Sequence, residues 1–104
     1  MKLFVDDIRD CPDGWVPART VTDAIRILAT QNVEEVSLDH DIVWCNHKPS
    51  RPLSPETFEG VAWYIAKMVP RPTVRIHTGN YPAGERMACI LGIDYNPYAQ
   101  EAKP

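Results

Sequence analysis

The sequence predicts an α/β protein, a three-layer sandwich around a mostly parallel four-stranded sheet with the flavodoxin-like strand order 2-1-3-4. Short apolar runs with strand character alternate with helical windows bounded by prolines, as in sheets whose parallel strands are joined by helical crossovers. Pro17 removes a backbone donor from the second run, which places that strand at an edge of the sheet. Strands one and three then lie side by side. The predicted strands are residues 2–5, 15–19, 33–38 and 73–77.

The first two helices are predicted from apolar residues that recur at helical spacing. The first spans residues 20–31, where Thr20 and Asp23 suit an acidic form of the capping box. The second begins at Ser54, because a serine before a proline is a typical N-cap followed by proline in the first helical position. Its apolar stripe comprises Phe58, Val61, Ala62, Ile65 and Val69.

A third helix is predicted from about Gly84 to Leu91, with Gly92 as its C-terminal stop. Residues 42–55, between strand three and the second helix, are interrupted by prolines and predict a loop. A chain of 104 residues has the length of one domain. We expect that domain over residues 1–97 and a flexible tail over residues 98–104.

Composition and charge exclude several classes of function. Hydrophobic residues make up 44% and charged residues 24%, as in ordinary globular proteins, and no apolar run approaches the roughly 20 residues that cross a bilayer. A net charge of −3 does not favour a broad DNA-binding or membrane-binding surface, since both need basic residues. Three cysteines, odd in number and far apart, do not suggest a disulfide framework or a zinc site. We therefore expect a cytoplasmic protein with reduced thiols.

Two short acidic clusters follow strands that the predicted order makes neighbours. Asp6 and Asp7 follow the first strand, and Asp39 and Asp41 follow the third. The carboxyl ends of parallel strands meet at one edge of a sheet, and adjacent strands are about 4.8 Å apart, so these acids can converge. Converging carboxylates repel one another unless a cation or proton intervenes, and Mg²⁺ or Mn²⁺ is a suitable cation. The alternative is that these aspartates only form turns, which is common after a strand.

Two histidines lie at the ends of the third and fourth predicted strands. His40 and His77 therefore belong to the same edge of the sheet as the acids. Imidazoles titrate near neutral pH, so the pair suits proton transfer to and from a phosphate ester. Two alternatives stay open, since a histidine in this position can also bind a softer metal or be a hydrogen-bonded core residue.

Residues around the third helix suit an anion. A glycine at a helix start, here Gly84, leaves exposed N–H groups, and the guanidinium groups of Arg9 and Arg86 provide planar donors for phosphate. The phosphate-binding residues that we predict are Arg9, Asn80, Gly84 and Arg86.

Four segments together carry a resemblance to a known family. The runs LFVDDIRDCPDGWVPART, EEVSLDHDI, FEGVAWYIAK and IHTGNYPAGERM stand in this order between residues 2 and 91. The chain resembles the cyclic-phosphate processing receiver domain family, small relatives of the response-regulator receiver domain. The resemblance implies a receiver-like fold and a link to cyclic-phosphate ends. It also implies functional roles for Asp6, Asp7, Arg9, Asp39, His40, Asp41, His77, Asn80 and Gly84.

Together these observations predict a metal-assisted phosphoesterase that acts on cyclic or terminal phosphates of nucleotides or RNA ends. The predicted ligands of Mg²⁺ or Mn²⁺ are Asp6, Asp7, Asp39 and Asp41. The predicted catalytic residues are His40, His77 and Asp39. In the 42–55 segment, Trp44 can stack on a base of the substrate, and Lys48 and Arg51 can contact its phosphates. The equal alternative is an exposed loop without a role in substrate binding.

Two other functions stay open at this point. One is a non-catalytic, receiver-like signalling or binding module with a divalent-cation site, in which Asp39 would accept a phosphoryl group. Receivers pair that aspartate with a lysine on a later strand, whereas the only lysine after Met87 is Lys103. The other is a small interaction protein whose acidic cluster has lost its ion.

Overall fold

The computed structural model describes residues 1–43 and 53–95, which form six strands and three helices. The strands are β1 (Lys2–Val5), β2 (Trp15–Ala18), β3 (Glu35–Leu38), β4 (Asp41–Val43), β5 (Leu53–Thr57) and β6 (Thr73–Ile76). The helices are α1 (Val21–Thr30), α2 (Glu59–Ala66) and α3 (Tyr81–Leu91). None of these helices is long and apolar enough to cross a membrane.

The main sheet is parallel and has the order β2-β1-β3-β6. This is the predicted order 2-1-3-4, since β6 is the fourth strand of the prediction, and β2 with Pro17 lies at an edge as expected. The last residues of three adjacent strands, Val5, Leu38 and Ile76, stand side by side in register. The residue that follows each of these three strands therefore lies at the same edge of the sheet.

One face of the main sheet forms the core with the helices. Alternate strand residues such as Leu3, Val5, Val36 and Leu38 are fully buried in one cluster with the apolar faces of α1, α2 and α3. Phe4 belongs to the opposite face and lies outside this cluster. The α/β class is thus as predicted, but in the described residues helices cover one face, so the second helical layer of a three-layer sandwich is not formed. The physical reason is that residues 6–14, which join β1 to β2, contain no helix.

The segment after β3 differs from the prediction. Instead of a loop followed by a helix from Ser54, β5 pairs antiparallel with β4, with Asp41 opposite Thr57. The serine–proline signal for a helix start was therefore wrong, because pairing with β4 outweighs this local preference. Proline is tolerated in such a two-stranded sheet, where each strand has an unpaired side.

The second helix nevertheless buries the predicted stripe. α2 begins at Glu59, and Phe58, Val61, Ala62 and Ile65 are all fully buried. Burial of each large apolar side chain is worth about 1.5–3 kcal/mol. The fifth predicted member, Val69, is 95% exposed, because α2 ends at Ala66 and Pro70 disfavours helical backbone at the residue before it.

The ends of the other two helices follow local capping rules. The Thr20 hydroxyl accepts a hydrogen bond from the Asp23 N–H (3.1 Å) at the start of α1, as the capping motif predicts. α3 begins at Tyr81 and not at Gly84, because the Asn80 side chain is its N-cap and accepts from the Ala83 N–H (3.3 Å). Gly92 ends α3 in the left-handed region (φ 67°), the predicted glycine stop.

Candidate metal centre and cleft

Three potential metal ligands meet at the carboxyl edge of the main sheet. Asp6, Asp39 and His77 each directly follow one of the three residues in register at the ends of β1, β3 and β6. One ligand atom from each lies within 4.8 Å of those of the other two. The predicted convergence of acids from strands one and three is therefore confirmed, and a group from β6 joins them.

Asp6 is fully buried and held by several donors. Its Oδ1 accepts hydrogen bonds from the backbone N–H groups of Ile8 (3.0 Å) and Arg9 (2.9 Å), and its Oδ2 lies 2.8 Å from His77 Nε2. Burial alone would raise the pKa of Asp6, but the hydrogen bonds from His77, Arg9 and Ile8 outweigh it and lower the pKa to about 2. Asp6 is therefore a carboxylate at neutral pH.

His77 is fixed by Asp6 at Nε2 and by two further residues. Its Nδ1 lies 2.7 Å from the Ser37 hydroxyl, and its ring stacks on Phe4 with centroids 4.8 Å apart and planes within 4°. A hydroxyl both donates and accepts, so Ser37 can support either imidazole tautomer. Nε2 can therefore carry the proton shared with Asp6 or present a lone pair to a cation.

Asp39 is a buried acid whose charge is poorly compensated. Its Oδ1 accepts from the backbone N–H of His40 (2.8 Å), and the residue is only 8% exposed. Burial, followed by the nearby negative charge of Asp6, raises the pKa of Asp39 to about 6. A positive charge between the two carboxylates would remove this repulsion.

Asp39 also lines an open cleft of about 300 Å³. The cleft wall consists of Ile8, Arg9, Asp39, Asp41, Thr78, Gly79 and Asn80. Arg9 projects a guanidinium group whose Nη1 donates to the His77 carbonyl (3.1 Å) and whose Nε lies 3.6 Å from Asp6 Oδ2. The cleft thus combines access to a potential ion with a cation that suits phosphate.

A second cluster of polar side chains, around His40, lies beside the cleft. His40 Nδ1 is 2.7 Å from Asp41 Oδ1, and His40 Nε2 is 3.6 Å from Glu59 Oε2. Glu59 also pairs with the Arg86 guanidinium at 3.0 Å. The two imidazoles therefore have different partners, and His40 is not among the residues that line the cleft.

The structure divides the residues predicted from the sequence into two sets. Asp6 and Asp39 form the potential metal group, while Asp7 and Asp41 lie outside it in the part of the chain that is described. Arg9 and Asn80 line the cleft, whereas Arg86 pairs with Glu59 and does not belong to the cleft wall.

Gly84 is not the helix-start glycine that the sequence suggested. Its N–H donates to the Asn80 carbonyl (2.9 Å), so it offers no exposed donor to an anion. A Cβ at this position would lie 2.5 Å from the Tyr95 ring, which shows that Gly84 permits close packing of that ring. The Tyr95 hydroxyl donates to the Thr78 carbonyl (3.3 Å), so this packing supports the cleft wall.

Sequence reasoning missed two residues that support the site. Ser37 is the polar residue in the otherwise apolar run VSL, and a partly buried serine in a central strand is a signal for a hydrogen-bond partner. Arg19 donates from Nη1 to the carbonyls of Asp6 (3.1 Å) and Arg9, which braces the loop that carries both side chains. An arginine at the end of an edge strand gives no such signal by itself.

The predicted substrate contacts of the 42–55 segment are not tested. Trp44, Lys48 and Arg51 lie outside the described residues, as does the expected tail of residues 98–104.

Comparison with known proteins identifies the sequence family. A family model described as the cyclic-phosphate processing receiver domain matches residues 1–92. Comparison with curated proteins and with solved structures finds no match. The matched range contains every residue of the potential metal group and of the cleft.

Proposed function

The chain belongs to the cyclic-phosphate processing receiver domain family, and we propose that it is a metal-assisted phosphoesterase acting on cyclic or terminal phosphates of nucleotides or RNA ends. The observation that carries the proposal is the position of Asp39. This residue is a member of the potential metal group and a part of the cleft wall. A phosphate in the cleft can therefore lie beside both the ion-binding carboxylates and Arg9.

The donor set fits a divalent cation. Asp6 and Asp39 offer two carboxylates and His77 an imidazole nitrogen, a combination that suits Mg²⁺ or Mn²⁺ through its oxygens. Burial and the nearby charge of Asp6 raise the pKa of Asp39, and a cation held by both carboxylates would favour the ionised form of Asp39. When bound, the ion supplies polarisation of a phosphoryl oxygen and a lower pKa for coordinated water.

The protein groups have distinct roles in this proposal. Asp6 and Asp39 hold the cation, and Arg9 binds phosphate oxygens from the cleft wall. His77 either supplies a third ligand or transfers a proton, and both roles use the same Nε2 atom. Ser37 orients the ring in either case, since its hydroxyl contacts the other ring nitrogen.

The test is turnover of a 2′,3′-cyclic nucleotide with Mn²⁺. We expect Asp39→Asn to abolish turnover while far-UV circular dichroism stays that of a folded α/β protein. Asp10→Asn, an exposed acid in the β1–β2 connection, is the matched control and should retain turnover. Unchanged turnover in the Asp39→Asn variant would refute the assignment.

A second candidate is a non-catalytic receiver-like module. One observation favours it: Asp39 and Thr78 both line the cleft. A receiver uses the same two groups, an aspartate at the end of its third strand and a hydroxyl on the fourth. Incubation with acetyl phosphate and Mg²⁺, followed by intact mass measurement, separates the two candidates. A stable phosphoryl adduct on Asp39 supports the module, and its absence together with turnover supports the enzyme.

A further inference from the structure

Asp41 places a carboxylate in the cleft wall that neither ion binding nor phosphate binding explains. It lines the cleft together with Asp39 and Arg9 but lies outside the group of potential ligands in the described residues. A carboxylate repels a phosphate, so Asp41 cannot serve the charged end of the substrate. Its partner in a bound ligand must be a neutral or positive hydrogen-bond donor.

The Asp41 side chain is held in place and still has acceptor capacity. Its Oδ1 accepts hydrogen bonds from His40 Nδ1 (2.7 Å) and Asn80 Nδ2 (3.2 Å), and these bonds fix the orientation of the carboxylate. Oδ2 accepts only a long hydrogen bond of 3.4 Å, from Asn80 Nδ2, among the described residues. A carboxylate accepts about four hydrogen bonds, so Oδ2 can accept from a ligand.

We propose that Asp41 accepts a hydrogen bond from a hydroxyl of the substrate's sugar, which makes Asp41 a specificity-determining residue for ribose phosphates. This inference rests on the proposed function and assigns the residue that recognises the sugar. The phosphate lies toward Arg9 and Asp39, and the sugar hydroxyl lies against Asp41.

Two further features of the cleft agree with a sugar. Ile8 lines the cleft and is 50% exposed, so it offers an apolar surface to the ring carbons. The volume of about 300 Å³ lies at the lower end of the range for small-molecule sites and is sufficient for the sugar and its phosphate. Inorganic phosphate or a simple acyl phosphate would use neither Ile8 nor Asp41.

The test compares two ligands that differ in their hydroxyl groups. Calorimetric titration of the full chain, in the presence of Mg²⁺, measures binding of ribose 5-phosphate and of cyclopentylmethyl phosphate, which has a five-membered ring without hydroxyls. We expect wild-type protein to bind ribose 5-phosphate roughly 10- to 150-fold more tightly, the factor for one hydrogen bond to a charged group. Asp41→Ala should remove this preference, weakening the sugar ligand while the hydroxyl-free ligand binds as well as before or better.

The controls separate this inference from the proposed function. Glu85→Ala removes an exposed acid on α3 and should keep the preference. Asp41→Asn, which keeps the side-chain shape, provides a second variant if the alanine variant unfolds, and it should reduce the preference. Equal binding of both ligands by wild-type protein, or a preference that persists in both Asp41 variants, would overturn the inference and leave a phosphate site. Binding of neither ligand would overturn the proposed function as well.

Discussion

Replacement of Asp39 by asparagine should stabilise the metal-free protein. The change keeps the shape of the side chain and an oxygen that can accept from the His40 N–H, but it removes a buried charge beside Asp6. In wild-type protein, burial and the charge of Asp6 raise the pKa of Asp39 from 3.8 to about 6. Ionising Asp39 in the folded state therefore costs about 3 kcal/mol, since one pKa unit corresponds to about 1.4 kcal/mol.

The pH dependence of this difference follows from the direction of the shift. Below about pH 4, Asp39 is protonated in both the folded and the unfolded chain, so the two proteins should have similar free energies of unfolding. As the pH rises through 6, wild-type protein loses the favourable protonated state, and the variant should become more stable by about 3 kcal/mol.

Urea unfolding between pH 4 and pH 8, with EDTA present, measures this difference. Added Mn²⁺ should then stabilise wild-type protein and leave the asparagine variant unchanged, because only the former retains both carboxylates. A variant that is equally stable or less stable than wild type at pH 8 in EDTA would refute the reasoning, because the buried charge would then carry no cost.

Three other changes test separate parts of the site. Asp6→Asn should remove a contribution of about 2 kcal/mol, which wild-type protein has above pH 4 and loses as the pH falls toward the lowered pKa of about 2; urea unfolding between pH 2 and pH 5 measures it. His77→Gln separates the two roles of Nε2: loss of Mn²⁺ affinity in calorimetry identifies a ligand, and retained affinity with lost turnover identifies a proton-transfer group. Gly84→Ala should destabilise the fold by about 1–3 kcal/mol in thermal unfolding, because its Cβ meets the Tyr95 ring. Gly60→Ala in α2, where the nearest atom is 3.7 Å from the added Cβ, should instead be neutral or slightly stabilising, and equal losses at both glycines would contradict this explanation.

Much of the fold could be predicted because the sheet follows from chain-wide patterns. The alternation of strands and helical windows, with Pro17 at an edge, is sufficient for the parallel order β2-β1-β3-β6. The β4–β5 hairpin could not be predicted in this way, since Ser54 and Pro55 carry a local helix signal that pairing with β4 overrides. The absence of a helix between β1 and β2 leaves one face of the sheet without a helical layer in the described ranges.

The sequence was sufficient to predict which strand ends form the site, but not which side chains meet there. The register of β1, β3 and β6 explains why Asp6 and Asp39 meet, and it brings His77 to the same place. Asp41 also follows the end of β3, but its side chain forms hydrogen bonds with His40 and Asn80. The sequence does not reveal these partners.

The role of Gly84 could not be predicted from the sequence either, for a different reason. A glycine before an arginine and an apolar run can be a helix start or a point of close packing. Its partner, Tyr95, lies beyond the end of α3, so the contact depends on how the chain returns after Gly92.

The central claim is that Asp6 and Asp39, aided by His77, hold a divalent cation beside the cleft. The most direct measurement is anomalous diffraction from a crystal of the full chain soaked in Mn²⁺. Our account predicts a peak in contact with both carboxylates at the ends of β1 and β3. A crystal without a peak there, or with its manganese bound only at Asp41 and Glu59, would contradict it.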